Sequence, residues 1–289
     1  MTRIPWKCPN CGGGMTAYLA EKPYVLRCAR GHSFDIAKQG YVNLLLPQKR
    51  GSTPPGDDAN MVRARTAFLD GGYYKAFSDG VNRLVSDALR ENASAPCVIA
   101  DAGCGEGYYT HNLVSYLREG GTDAVCAGFD LSKDAVSHGA KRAKASGNAE
   151  SLSFAVASLF EMPLADGSCD GIINLFAPTA DDEFARILKP DGFLVLAVPA
   201  ERHLWGLKCA VYDTPYENEV RRDVLPHFTL KEVRQIRETV TVCGNDHIKA
   251  LFAMTPYFWK TSVSDRQKLD TLEQLTTEIA FDLLLYGKN

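Results

Sequence analysis

No apolar run in this chain approaches the roughly 20 residues that a membrane span needs, so the sequence gives no reason to expect an integral membrane protein. The opening residues, Met1 to Cys8, lack the apolar stretch of a secretory signal. There is no internal repeat and no long low-complexity tract, which excludes solenoid and fibrous architectures. Cysteine comes to nine, an odd number, with six of them scattered singly through apolar or helical stretches. A disulfide framework is therefore not expected, and the reducing cytoplasm is the expected location. Net charge is also small: at −3 it excludes a uniformly basic nucleic-acid binder.

The distribution of charge says more than its sum. Residues 1–65 carry ten basic side chains against four acidic ones, a balance of +6 that leaves −9 for the remainder. A basic module joined to an acidic one implies that the first meets a polyanion, unless its charges only solvate a surface. Arg27, Arg30, Lys38, Lys49 and Arg50 form the densest part of this basic region. With 289 residues and 45% hydrophobic content, the chain can bury one large core and support an accessory unit.

Three regions are expected. Residues 1–46 read as short strands and knuckles. Residues 47–92 begin with a linker rich in Pro, Gly and charge, from Leu46 to Asp58, and continue as two helices. The first has Met61, Ala64, Ala67 and Phe68 at helical spacing and is broken by Gly71 and Gly72. The second runs from Phe77 to Arg90, with Val81, Leu84, Val85 and Leu89 on one side. Residues 93–289 alternate strands with helices. Strands are expected at Cys97–Asp101, Val125–Asp130, Leu152–Ala157, Gly171–Phe176 and Phe193–Val198, and helices at Tyr108–Leu117, Lys133–Ala145 and Asp181–Leu188. Near-continuous apolar strands suit a parallel sheet covered on both faces, a doubly wound, Rossmann-like α/β fold. Val240–Val242 and Ala280–Tyr286 are candidates for the last strands, joined through an amphipathic stretch at His247–Met254.

Cys8-Pro-Asn-Cys11 and Cys28-Ala-Arg-Gly-His32 form two ligand knuckles separated by sixteen residues. Three thiolates and an imidazole complete a tetrahedral shell with no position left for water, which is the pattern of a structural zinc. A module of about 40 residues buries little core, so the metal would supply much of its folding energy.

The segment from Val98 to Gly107 is the strongest sign of chemistry. An apolar strand ends in Asp101, and Gly103, Cys104, Gly105, Glu106 and Gly107 form a loop that leads into a helix. Glycine lets backbone approach a ligand closely. The spacing G-x-G-x-G differs from the dinucleotide fingerprint G-x-G-x-x-G and points towards S-adenosylmethionine. Further features follow in order. Asp130 ends the second strand about 20 residues beyond the loop, where a carboxylate accepts from ribose hydroxyls. Ser158 and Leu159 end the third strand, at the expected adenine edge. Asp170 to Pro178, with Asn174 in it, runs as a fourth strand into a loop, and Leu188 to Gly192 turns into the fifth. The last two resemble the corresponding parts of class I methyltransferases. His203 follows the fifth strand near the cofactor edge, or is a surface histidine at a helix start. Tyr73 and Tyr74 would cover the cofactor or pack against the sheet edge. Phe176 and Pro178 would flank a flipped-out base or anchor their loop.

Taken together, these residues resemble the 23S ribosomal RNA (guanine-N1)-methyltransferase family of RlmA type. The resemblance rests chiefly on the segments Gly31–Leu45 and Met61–Tyr74, with support from Asp101–Tyr109, Arg202–Leu204 and Met254–Trp259. It implies a class I methyltransferase domain with a small N-terminal zinc-binding domain, zinc on Cys8, Cys11, Cys28 and His32, and S-adenosylmethionine in contact with Tyr74, Glu106, Gly107, Asp130 and His203. It also implies recognition of a 23S RNA hairpin by the zinc module, and a homodimer. The loop from Gly103 to Gly107 is more similar to the housekeeping branch of the family than to its macrolide-resistance branch. Ala177-Pro-Thr-Ala180 stands where housekeeping members have Ala-Pro-Cys-Lys, which leaves the target guanine open.

Guanine N1 carries a proton at neutral pH, so methylation requires alignment of N1 with the methyl donor and removal of that proton. Asp181 and Asp182, after the fourth strand, are the candidate proton acceptors, with water as the alternative. Two rival readings remain at this point. One is a methyltransferase acting on a small molecule or protein. The other is a zinc-containing RNA-binding protein with a vestigial cofactor site.

Overall fold

A computed structural model describes residues 1, 3–20, 22, 24–46, 56–92, 95–220 and 224–289. The linker residues 47–55, and with them Lys49 and Arg50, lie outside the described residues.

The central sheet has eight strands. In chain order they are β4 (Tyr41–Asn43), β5 (Cys97–Ala102), β6 (Ala124–Asp130), β7 (Leu152–Val156), β8 (Cys169–Leu175), β9 (Leu188–Pro199), β10 (Phe228–Cys243) and β11 (Gln274–Lys288). Their spatial order is β10-β11-β9-β8-β5-β6-β7-β4. The strands β5, β6, β7, β8 and β9 pair in parallel, and every residue of β5, β7 and β8 is buried. That burial on both faces is why these strands read as apolar runs. A separate three-stranded sheet is made of β1 (Met15–Tyr18), β2 (Val25–Cys28) and β3 (Ser33–Asp35).

The helices that cover the sheet begin where the sequence supplies caps. In α1 (Ala59–Asp70), Asp58 accepts from the amides of Asn60 at 2.8 Å and Met61 at 2.9 Å. In α4 (Lys133–Ala145), Ser132 accepts from Ala135 at 3.2 Å. Such caps satisfy amides that the first helical turn leaves unpaired. With α2 (Lys75–Asn92) and α3 (Tyr108–Glu119), these helices bury one face of the sheet, where Phe77, Val81, Leu84, Leu113 and Val136 meet Ile99, Cys126, Phe154 and Val195.

The other face is covered differently. The connection from β7 to β8 holds no helix. The zinc module and α5 (Asp181–Ile187) pack there instead, with Ile4, Trp6, Met15 and Leu26 joining Val98, Ala100, Val125, Phe129 and Leu164 in one core. Trp6 is 2% exposed, meets Phe129 edge-on at 6.0 Å and forms a bridge with Leu164. Lys7 to Asp166 at 2.8 Å and Arg3 to Asp123 at 2.7 Å tie down the rim.

The segment before the boundary expected at residue 46 reaches into the large sheet, where Tyr41, Val42 and Asn43 pair with Phe154, Ala155 and Val156 as an edge strand. The last two strands are also far longer than Val240–Val242 and Ala280–Tyr286. They form an antiparallel hairpin from Phe228↔Lys288 to Cys243↔Gln274, with α7 (Asn245–Ala253) and α8 (Val263–Gln267) inside the connection. β10 is the outer strand and largely exposed, so its charged residues hide the apolar signal of a strand. The remaining helix, α6 (Trp205–Val211), follows β9.

Candidate methyl-transfer site and zinc centre

The carboxyl ends of β5 and β6 meet at the glycine loop. Gly103, Gly105 and Gly107 all have positive φ, at 88°, 52° and 77°. A side chain at Gly103 would meet the methyl of Ala177 at 2.3 Å, and one at Gly107 would meet the ring of Phe154 at 2.9 Å. The loop therefore needs glycine for packing as well as for backbone shape. Its amides are largely committed within the protein. Gly103 and Cys104 donate to the Phe129 carbonyl at 2.9 and 3.0 Å, and Gly107 donates to that of Cys104 at 2.9 Å. Gly105 donates to Asp130 Oδ2 at 3.1 Å. At Gly103, Cys104, Gly105 and Gly107 the loop thus offers a ligand space rather than free amides.

Asp101 is 2% exposed and accepts from Thr110 Oγ1 at 2.5 Å, which pins the start of α3 to the end of β5. Burial, with the nearby charges of Asp130 and Glu106, pushes its carboxyl up to about 7, against the Thr110 hydrogen bond. Asp130 also accepts from the Ser132 amide at 2.8 Å, and burial raises its pKa. Glu106 is 2% exposed, and its Oε1 has no hydrogen-bond partner among the described residues. Burial raises its pKa too, offset in part by the Arg65 charge. An orphaned buried carboxylate oxygen beside a glycine loop fits a site that receives a cationic or N–H-bearing ligand. Leu159 is buried and lies 3.9 Å from where a Gly103 side chain would begin, which places the end of β7 against the loop. Ser158 accepts from the Phe160 amide at 3.2 Å. Asn174 is 2% exposed and donates to the Pro178 carbonyl at 3.0 Å, shaping the loop after β8.

An aromatic group forms the next part of the edge. Tyr74 Oη lies 3.4 Å from His203 Nε2, and both residues are buried. The Ala280 amide donates to His203 Nδ1 at 3.3 Å. A neutral ring with Nδ1 as acceptor carries its proton on Nε2, which leaves the Tyr74 hydroxyl hydrogen free to donate elsewhere. Burial, with the Lys208 charge, lowers the His203 pKa to about 3. The tyrosine hydroxyl is pushed far above its usual range by burial. Phe281, which the sequence reading missed, packs against His203 with ring centroids 4.0 Å apart and a tilt of 45°. Phe176 is the exposed end of this group: it is 50% exposed, with its ring 5.3 Å from Phe77 and 5.0 Å from Phe281. Its φ of 69° is unusual for a bulky residue and costs about 1–3 kcal/mol, which the surrounding packing must offset.

The segment before α1 lies across this site. Gly56 (φ 83°) packs on Ser132, and Ser132 Oγ donates to the Asp57 carbonyl at 2.6 Å. Arg65 pairs with Asp57, and its Nη1 stands 3.6 Å from where a Gly105 side chain would begin. The available signal was an arginine three residues from both Val62 and Phe68, on the buried face of α1.

Asp181 and Asp182 are not joined to this group by any hydrogen bond or ion pair among the described residues. Asp181 lies 2.5 Å from His227 Nδ1, and Asp182, with a side chain 97% exposed, lies 3.7 Å from it.

At the other end of the shared core, Cys8, Cys11, Cys28 and His32 converge, with all four ligand atoms within 4.8 Å of one another. Cys11 Sγ and Cys28 Sγ are 3.7 Å apart, and His32 Nδ1 is 3.7 Å from Cys8 Sγ and 3.4 Å from Cys28 Sγ. A tetrahedral zinc with ordinary bond lengths would hold two sulfurs about 3.8 Å apart and a sulfur and nitrogen about 3.6 Å apart. The four residues fit that ion.

Residues 93–238 match the family model of a methyltransferase domain, and residues 6–53 match that of the RlmA N-terminal zinc ribbon. The chain is 33% identical over 285 residues to the 23S rRNA (guanine(748)-N(1))-methyltransferase of Streptomyces fradiae, covering 95% of this chain and 94% of that one. A Micromonospora griseorubida protein provisionally given the same type of activity is 36% identical over 209 residues, 68% of this chain and 66% of that one. Among solved structures, the YcgJ protein of Bacillus subtilis is similar at 17% identity and a TM-score of 0.47, over 72% of this chain and 97% of that one.

Proposed function

The chain belongs to the 23S rRNA (guanine-N1)-methyltransferase family, and from that premise we propose that it methylates N1 of an unpaired guanine in a hairpin loop of 23S ribosomal RNA. The observation that carries this reading is the union, in one body, of a four-ligand zinc ribbon with an intact cofactor edge. A vestigial cofactor site would not keep three left-handed glycines, a buried orphan carboxylate and a second-strand aspartate tied to the loop.

S-adenosylmethionine, when bound, supplies an electrophilic methyl group on a sulfonium. The residues that would hold it are Tyr74, Gly103, Gly105, Glu106, Gly107, Asp130, Leu159 and His203. Asp101, Cys104, Ser158 and Asn174 act through the shape of the loops. Asp130 would take the ribose hydroxyls, with its hydrogen bond to the Gly105 amide keeping it at the loop. His203 stays neutral and holds Tyr74 in place. N1 of the guanine gains the methyl and loses its proton. Asp181 meets His227 through Oδ2 and keeps Oδ1 without a partner among the described residues, and Asp182 is exposed; either would be the proton acceptor, and loss to water needs neither.

N1 lies on the Watson–Crick edge, so the base must leave any pairing before it reacts. Phe176 offers a half-exposed ring, supported from beneath by Phe77 and Phe281, on which such a base would stack. Arg27, Arg30 and Lys38 are exposed on the zinc module and would meet phosphates. Arg3, Lys7 and Arg65 are paired inside the protein and contribute less to that footprint. The reading includes a homodimer working in the cytoplasm, and no helix among the described residues is long and apolar enough to cross a membrane.

The test is transfer of labelled methyl to hairpin transcripts of 23S RNA. Transfer to a loop guanine that stops when that guanine is base-paired supports the reading. Transfer only to protein or small molecules overturns it.

A further inference from the structure

Arg65 presents a guanidinium at the one glycine of the loop whose side-chain direction is open. Where Gly103 and Gly107 face Ala177 and Phe154, Gly105 faces only Arg65 Nη1, at 3.6 Å. The arginine is mostly enclosed, with 23% of its side chain exposed, and its one ion-pair partner among the described residues is Asp57. Asp57 belongs to the same strap, held by its carbonyl to Ser132. Glu106 and Asp130 are near enough to stabilise the guanidinium charge together with Asp57, against the cost of burial. On the same loop, Glu106 keeps a buried oxygen without a partner among the described residues. A cation and an unsatisfied carboxylate thus flank Gly105.

That arrangement fits a zwitterion with carboxylate and ammonium on one carbon, which is the amino-acid end of the cofactor. A phosphate of the RNA is a poor fit, because three carboxylates surround the arginine and offer a polyanion nothing in return. Resting on the methyl-transfer reading above, we propose that Arg65 binds the α-carboxylate of the cofactor while Glu106 takes its α-ammonium group. Asp57 is the internal anion that holds Arg65 in place until the cofactor carboxylate displaces it. Gly56 and Asp57, which precede α1, therefore become part of the cofactor site.

Two ligands separate this role from a structural one. S-Adenosylhomocysteine carries the amino-acid end; 5′-methylthioadenosine lacks it. Binding of each is measured by calorimetry to the full zinc-loaded protein and to R65Q, R65K and D57N, with thermal melting as a check on folding. R65Q should weaken S-adenosylhomocysteine about 10- to 100-fold, the scale of a lost charge-assisted hydrogen bond. Its affinity for 5′-methylthioadenosine should stay within about twofold of wild type, a difference of only a few tenths of a kcal/mol. R65K should lose less than R65Q, since it keeps the charge but not the fork. D57N removes the competing anion and should hold or raise S-adenosylhomocysteine affinity. Equal weakening of both ligands by R65Q, no weakening of either, or loss of S-adenosylhomocysteine binding in D57N would overturn the proposal. Failure of the wild type to bind S-adenosylhomocysteine would instead overturn the methyl-transfer reading on which it rests.

Discussion

The carboxylate of Asp130 accepts the amide of Gly105 at 3.1 Å, so the end of the second parallel strand and the glycine loop after the first are one hydrogen-bonded unit. Its other oxygen holds the Ser132 amide at 2.8 Å. Asp130→Ala therefore removes the proposed ribose acceptor and loosens the loop. Affinity for S-adenosylhomocysteine should fall by about 1.5–3 kcal/mol, the range for hydrogen bonds to a charged group, and the apo protein should melt at lower temperature. Unchanged affinity in calorimetry would remove Asp130 from the cofactor site.

The zinc ribbon shares its core with the sheet, and this changes what metal removal should do. One equivalent of zinc is expected by elemental analysis. Because Trp6, Met15 and Leu26 pack with Phe129 and Leu164, chelation should lower the melting temperature of the whole chain in a single transition. Trp6→Ala should cost about 3–5 kcal/mol, as for other large buried aromatics. Two separate transitions, with the methyltransferase domain unmoved, would show the ribbon to be an independent module.

Two buried groups should give opposite dependences of stability on pH. His203 is held neutral with a pKa near 3, below its unfolded value of about 6.5. The unfolded chain takes up a proton first, so this contribution is lost as pH falls from about 6.5 towards 3. Asp101 is held protonated with a pKa near 7, above its unfolded value of about 3.9. Here the folded state keeps the proton longer, so stability is lost as pH rises from about 4 to 7. His203→Gln should flatten the acid side of the profile, and Asp101→Asn should remove the loss between about pH 4 and 7, so that the variant gains on wild type as pH rises. Denaturant midpoints across this range check both signs.

Phe176→Ala should leave S-adenosylhomocysteine binding nearly unchanged and lower methylation of RNA. Stacking of a base on an aromatic ring is worth about 1–3 kcal/mol, so kcat/KM should fall by about 5- to 150-fold. Loss of cofactor affinity with no change in kcat/KM for RNA would assign the ring to the cofactor side instead.

The basic surface of the ribbon is open to a separate test. Replacing Arg27 and Arg30 with serine should weaken RNA binding and reduce its salt slope by about one to two units. Cofactor affinity should not change. An unaltered slope would mean that these residues do not meet phosphates.

The sequence is most legible where one force dominates. The strands β5 to β8 are buried on both faces and read as apolar runs. The four zinc ligands declare themselves by spacing, because two knuckles and one ion leave little choice of geometry. Long-range packing was not legible. Ile4, Trp6 and Met15 look like the small core of a metal module, and nothing local says that they cover a sheet face where the β7–β8 connection has no helix. β10 was hidden for the opposite reason: its charged outer edge masks the pairing that β11 provides. Arg65 needed the strap to be folded back over the loop, a relationship between residues 56–65 and 105–132 that spacing does not encode.

Mapping the methylated base tests the central claim most directly. Unmodified 23S RNA is incubated with the zinc-loaded protein and S-adenosylmethionine, digested, and read by mass spectrometry and by reverse transcription across the hairpin. The account predicts one added methyl group on a single loop guanine, with a transcription stop because the Watson–Crick edge is blocked. Methylation at another position of the base, or none on RNA alongside transfer to a small molecule or protein, would contradict it.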